Sequence, residues 1–297
     1  MNSSYNKSLL DLIRNNLFIT TDKYLKFARE EGHLYVKRDL LFRPGRWRGA
    51  IEFPPHYRFS ARNGIVITGH SDLLTDHDDL RKFRRLNRSK ILLGTNMLSM
   101  ENVSTSLPLG ITNDCDDSPI HRVFGSTKHF SIAHEVSEFK ESYDSSMYVN
   151  FTASNNEGQR TFLLKLLIDR PKTLVQSPEM NDKGRISYLA NLKSHCLVPC
   201  PEGNGIDTHR LWETLYMGGT PIVLKNPVIN HLVNHLPVIQ VNDWREILDE
   251  EFLRSEWLRI HSSEMNPDKL SIDFWLKLIR EKSANNSGKG YWYDENR

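Results

Sequence analysis

Arg210 and Glu213 stand three residues apart, just downstream of a turn that carries two glycines, in Gly203-Asn-Gly-Ile-Asp-Thr-His-Arg-Leu-Trp-Glu213. A guanidinium is a rigid fork of N–H donors that fits phosphate oxygens, and a carboxylate one helical turn further on can accept from two neighbouring hydroxyls. A second arginine, Arg160, closes the polar run Asn155-Asn-Glu-Gly-Gln-Arg160. In the other half of the chain, Thr68-Gly-His-Ser-Asp72 puts His70 and Asp72 directly after an apolar run. Either side chain can take a proton from a hydroxyl. The ligand these types point to is one that carries phosphate, a nucleotide first of all.

The elements around these residues suit that task. His195-Cys-Leu-Val-Pro199 reads as an apolar strand, the glycine turn follows, then a helix, then the strand Thr220-Pro-Ile-Val-Leu224. That order gathers free N–H groups and a positive helix end at the carboxyl edge of a parallel sheet, where anions bind. Gly203 and Gly205 can take positive φ and let a ligand approach the main chain, with Pro199, Asn204 and Thr208 around them. Asp207 is expected to cap the helix and Gly218-Gly219 to stop it. Leu211 and Leu215 face the core. The plainer alternative is a surface Arg–Glu pair on an ordinary helix.

These residues resemble a known pattern. Pro199-Cys-Pro-Glu-Gly-Asn-Gly-Ile-Asp-Thr-His-Arg-Leu-Trp-Glu213 with Gly218-Gly-Thr-Pro-Ile-Val223 is similar to the nucleotide-sugar signature of exostosin-like glycosyltransferases. Met147-Tyr-Val-Asn-Phe151 with Asn155–Arg160, and Leu236-Pro-Val-Ile239 with Asp243-Trp244, fit the same pattern. The resemblance covers residues 146–245 and is weak before them. It implies a GT-B architecture, α/β with two Rossmann-like domains facing each other across a nucleotide-sugar cleft. It also implies an inverting, UDP-sugar-dependent transferase whose acceptor is an oligosaccharide or glycoprotein. Uracil recognition by main chain near Pro199–Glu202 is a further implication. The compact length resembles the small virus-encoded members, whose donor is UDP-xylose and whose acceptor is a fucose-containing capsid glycan.

On this reading Arg160 and Arg210 hold the diphosphate and Glu213 the ribose. Asp72 is the first choice of base and His70 the second, against the alternative that Asp72 caps the next helix or stabilises a turn. Two arginines and a helix dipole supply the positive charge, so no metal and no further cofactor is expected. Trp47, His56 and Tyr57 offer stacking surfaces for sugar rings, or core packing.

Composition narrows the alternatives. The 297 residues are 38% hydrophobic and 26% charged, as in globular proteins. With 39 basic and 37 acidic side chains no overall field draws the chain to nucleic acid. Arg81-Lys82, Arg84-Arg85, Arg88 and Lys90 form a basic run that reads as a solvated helix face rather than a nucleic-acid grip. No stretch of about 18 apolar residues is present, so no membrane span is expected. Met1-Asn-Ser-Ser-Tyr-Asn-Lys7 is polar, and a cytoplasmic site of action, the protein's own or a host's, is the expectation. Cys196 and Cys200 read as reduced core thiols rather than zinc ligands, and Asp76-His-Asp-Asp79 as an acidic turn.

Along the chain, helices are expected at 6–17 and 22–31 and strands at 64–69 and 91–94, with Leu107–Gly110 ending another apolar piece. A second series follows: strand 147–151, helix 161–167, strand 172–175, helix 186–192, the signature, strand 238–241, and helices at 244–253 and 270–282. Domains are expected at 1–142 for the acceptor and 143–270 for the nucleotide sugar, with 271–297 a helix and tail packing back on the first. A non-catalytic nucleotide-sugar or carbohydrate binding protein of the same fold is the second functional reading. A nucleic-acid-binding protein is the third.

Overall fold

A computed structural model of the chain describes residues 3–37, 64–69, 72, 74–86, 90–112, 127–179 and 181–284. Trp47, His56, Tyr57, His70, Arg88 and Cys115 lie outside them. Two parallel sheets flanked by helices make an α/β protein. The first is built from β1 (Leu34–Lys37), β2 (Gly64–Gly69), β3 (Lys90–Gly94) and β4 (Ser104–Ser106), in that spatial order. Its register sets Leu34 beside Val66, Ile67 beside Leu93 and Gly94 beside Ser106.

The second sheet has β5 (Met147–Val149), β6 (Thr173–Val175), β7 (Leu197–Pro199), β8 (Thr220–Leu224) and β9 (Ile239–Val241), arranged β6-β5-β7-β8-β9. The strand order turns back between β5 and β7. In such sheets the place beyond the carboxyl ends of the strands at this switch is where a ligand usually binds.

The strands β3, β5, β7 and β8 are buried almost throughout, which is why they read as short continuous apolar runs. Alternation still sorts the side chains. Ile65 and Ile67 enter one core and Val66 another; Met147 and Val149 face away from Tyr148. The face bearing Ile67 and the face bearing Tyr148 belong to one continuous core.

The helices are α1 (Ser3–Arg14), α2 (Thr21–Glu31), α3 (His77–Leu86), α4 (Thr127–Glu135), α5 (Glu157–Leu167) and α6 (Asp182–Ser194). They continue as α7 (His209–Tyr216), α8 (Pro227–Val233), α9 (Glu250–Ser262) and α10 (Ile272–Ala284). α10 returns to pack on α2 and β2, where Arg280 pairs with Glu31 at 2.9 Å and lies over the Phe27 ring.

Several elements differ from the expectations for physical reasons. β1 went unanticipated, because four residues with a lysine carry too short a pattern. β4 is Ser104-Thr-Ser106, polar yet buried, and the apolar Leu107–Gly110 is the loop after it. The helix expected at 244–253 is a 3-10 turn over Trp244–Leu248 followed by α9. Asp249 interrupts it by accepting from the Phe252 amide as an N-cap. No helix among the described residues is long and apolar enough to cross a membrane.

Candidate anion site at the strand switch

α5 follows β5 and α7 follows β7, so the first turns of both helices flank the switch point. Asn156 caps α5 through the Gln159 amide, and Arg160 stands one residue further on. Its Nε donates to the Glu202 carbonyl at 2.8 Å and its Nη1 to the Thr152 carbonyl at 2.9 Å. The Gln159 side chain accepts from the Glu202 amide at 2.8 Å, so α5 grips the loop after β7 twice. Arg160 is only 6% exposed. Burial first, and the charge of Arg210 second, hold its guanidinium down to about 10.

Arg210, the second residue of α7, lies over the rings of Phe151 at 5.4 Å and Tyr188 at 5.7 Å. Its Nε is buried without a hydrogen-bond partner. Glu213, one turn later, is 1% exposed and accepts from the Tyr188 hydroxyl at 2.7 Å through Oε2, while Oε1 has no partner. Burial pushes its carboxyl up to about 7, against the pull of Tyr188 and Arg210. A buried donor and a buried acceptor left open cost free energy, on the order of 1–3 kcal/mol each. A ligand carrying an anion and hydroxyls satisfies both.

Two readings of this loop need correction. Gly203 and Gly205 do not have positive φ; the described glycines that do are Gly32, Gly110 and Gly218. Their missing side chains matter for close approach, by the protein itself. A Cβ on Gly203 would come within 3.1 Å of Arg160 Nη2, and one on Gly205 within 2.6 Å of Asn96 Nδ2.

Asp207 does not cap α7. Thr208 occupies the N-cap position without a side-chain bond. Asp207 is 1% exposed, accepting from the Leu109 amide and Trp212 Nε1 at 2.7 Å each. Its carboxylate is pulled toward the first sheet, and burial raises it to about 7. Gly218, by contrast, does end α7 in the left-handed region at φ 75°. Pro199 is the buried last residue of β7, paired with Ile222.

The loop from Asn204 to His209 meets the carboxyl edge of the first sheet. The Asp207 amide donates to Asn96 Oδ1 at 2.7 Å, and His209 Nδ1 lies 2.7 Å from the Gly110 carbonyl. Asp72 is exposed and accepts from Asn204 Nδ2 at 3.3 Å. It does not cap α3, whose first amides bond to Asp76 Oδ1. Asp72 therefore faces the glycine turn across the junction of the two halves.

Arg81, Lys82, Arg84 and Arg85 are exposed on α3 while Leu80 and Phe83 point inward, and Arg81 and Lys82 pair with Asp78 and Asp79. Lys90 is buried at the start of β3. The Cys196 and Cys200 thiols are buried in the core, and burial lifts them to about 11 and about 12. Among the described residues no three His, Cys, Asp or Glu side chains gather as a metal site. Sequence reasoning missed Phe151, Tyr188, Gln159 and Asn96. Phe151 had one usable signal, its place at the carboxyl end of an apolar strand.

Fold and site together define an α/β protein with two parallel sheets and two arginines gathered at a strand switch. No family model matches the chain, and no curated protein is significantly similar to it.

Proposed function

We propose that the chain is an inverting glycosyltransferase of GT-B form that moves a sugar from a UDP-sugar, with xylose the first candidate, to a glycan acceptor. The observation that carries this is the pair of arginines at the strand switch, Arg160 buried and Arg210 half-buried with its Nε enclosed, beside an open carboxylate oxygen on Glu213. Arg160 and Arg210 hold the two phosphoryl groups by charge-assisted bonds, and Glu213 Oε1 accepts from the ribose hydroxyls. Asp72, with His70 as the other choice, accepts the proton of the incoming acceptor hydroxyl. As that oxygen bonds to the anomeric carbon from one face, the bond to the diphosphate breaks on the other, which inverts the centre. The leaving diphosphate keeps the electron pair, and the guanidinium groups stabilise its growing charge where little water competes. They supply the charge that a divalent ion supplies elsewhere, so the reaction is metal-independent on this reading.

A screen of UDP-sugars for turnover and thermal stabilisation tests the proposal. One donor that is both turned over and stabilising supports it, and a chain indifferent to every uridine nucleotide sinks it. EDTA should leave turnover intact, whereas activity abolished by EDTA and restored by manganese would overturn the metal-free mechanism. A second reading, a binding protein without catalysis, draws on the exposure of Asp72 and its bond to Asn204, which suit a loop contact equally. Asp72→Asn separates the two: a transferase loses turnover while keeping UDP affinity, and a binding protein shows no turnover to lose.

A further inference from the structure

Phe151 follows β5 by two residues, and its ring is 5% exposed. Both guanidinium carbons lie near its centroid, Arg160 at 5.6 Å and Arg210 at 5.4 Å. Arg160 bonds to two carbonyl oxygens, from Glu202 and Thr152, which neutralise no charge. Two like charges held close together repel, and a ring face within about 6 Å of each cation offsets that repulsion.

Arg210 and Glu213 sit one turn apart on α7, each with an open polar atom, Nε and Oε1. Neither takes part in an ion pair among the described residues. Arg210 is drawn instead to the faces of Phe151 and Tyr188, while the Tyr188 hydroxyl holds the other oxygen of Glu213. Remove the ring of Phe151 and the easiest course for Arg210 is to turn onto Glu213. That would take a cation from the anion site and an acceptor from the hydroxyl site together.

We infer that Phe151 is a positioning residue: its ring keeps Arg160 and Arg210 as two separate cationic seats, so the site favours two linked phosphoryl groups over one. The inference rests on the nucleoside-diphosphate reading of the site. It adds that the preference for a diphosphate is set by an apolar side chain that donates no hydrogen bond.

The test is calorimetric titration of the full chain with inorganic pyrophosphate and with orthophosphate, for wild type, Phe151→Leu, Phe151→Met, Phe151→Tyr and Arg210→Ala. Wild type binds pyrophosphate more tightly than orthophosphate. Phe151→Leu and Phe151→Met, which keep bulk and lose the ring face, reduce that ratio by about tenfold or more, with orthophosphate affinity little changed. Phe151→Tyr keeps the ring and keeps the ratio. A merely structural role for Phe151 would weaken both anions alike. Leu and Met variants that retain the full preference, or a Tyr variant that loses it with them, overturn the inference. Pyrophosphate binding that is missing from wild type, or indifferent to Arg210→Ala, overturns the diphosphate reading as well. Binding that depends on Arg210 but not on Phe151 overturns this inference alone.

Discussion

At the scale of single residues, the open atoms of Arg210 and Glu213 make separable demands. Arg210→Ala removes a half-buried guanidinium, and UDP binding should weaken by about 2–3 kcal/mol, the cost of a charge-assisted bond. Titration of the variant with UDP checks it; an unchanged affinity would remove Arg210 from the diphosphate. Glu213→Gln keeps an acceptor for Tyr188 and replaces the open oxygen with an amide donor. It should therefore harm UDP binding more than pyrophosphate binding, and equal losses would take Glu213 off the ribose. Acidity supplies a second handle. Glu213 is raised from its ordinary 4.5 to about 7, so the acceptor form is lost as pH falls through about 7. The affinity for UDP relative to pyrophosphate should decline from pH 8 to about 6 in wild type and stay flat in Glu213→Gln, as linkage requires.

At the scale of elements, Asp207 is the pin between α7 and the first sheet. It satisfies the Leu109 amide from one half and Trp212 Nε1 from the other. Asp207→Ala leaves two buried donors open and should cost roughly 2–4 kcal/mol in denaturant unfolding. The pH dependence has a definite sign. Because the folded-state value lies above the ordinary 3.8, near 7, the folded chain holds an extra proton across that window. Stability from this group is therefore greatest on the acid side and declines as pH rises toward about 7. The gap between wild type and Asp207→Ala should narrow from pH 5 to about 8; a gap that stays constant would mean the folded-state carboxylate is ionised throughout.

Asp207 also marks how far sequence reaches. An aspartate before a helix reads as a cap, and only the tertiary fold reveals Trp212 and Leu109 as stronger claimants. The strand, turn and helix around Arg210 were legible because helix polarity, glycines and apolar runs are local signals. The meeting of Arg160 with Arg210 was legible as two candidates flanking parallel strands. Their shared ring was not, since Phe151 reads as one more core residue. The polar strand β4 escaped for the same reason: its burial is set by neighbours, and alternation has nothing apolar to register.

At the scale of the molecule, the two sheets share one core, and α7 is its keystone. Leu211, Trp212, Leu215 and Tyr216 lie in the same apolar cluster as Leu9, Phe18, Ile67 and Phe130. Tyr216 stacks edge-on to Phe18 at 4.8 Å, accepts from the Ile19 amide at 2.9 Å and donates to the Leu270 carbonyl at 2.7 Å. One hydroxyl thus joins the segment after α1, the helix α7 and the turn leading into α10. Tyr216→Phe keeps the packing and strands one buried donor and one buried acceptor, about 2–3 kcal/mol of destabilisation. The shared core implies that this loss is felt everywhere at once. Fluorescence of the tryptophans, which include Trp212 and Trp275 in this core and Trp244 and Trp257 beneath the second sheet, should report the same midpoint as circular dichroism. Tyr216→Phe should lower both midpoints together. If the second-sheet tryptophans instead kept the wild-type midpoint while the rest melted earlier, the halves would be separate units. Asp207 and Tyr216 would then be contacts between them rather than parts of one interior, and the arginine site would depend on the second half alone.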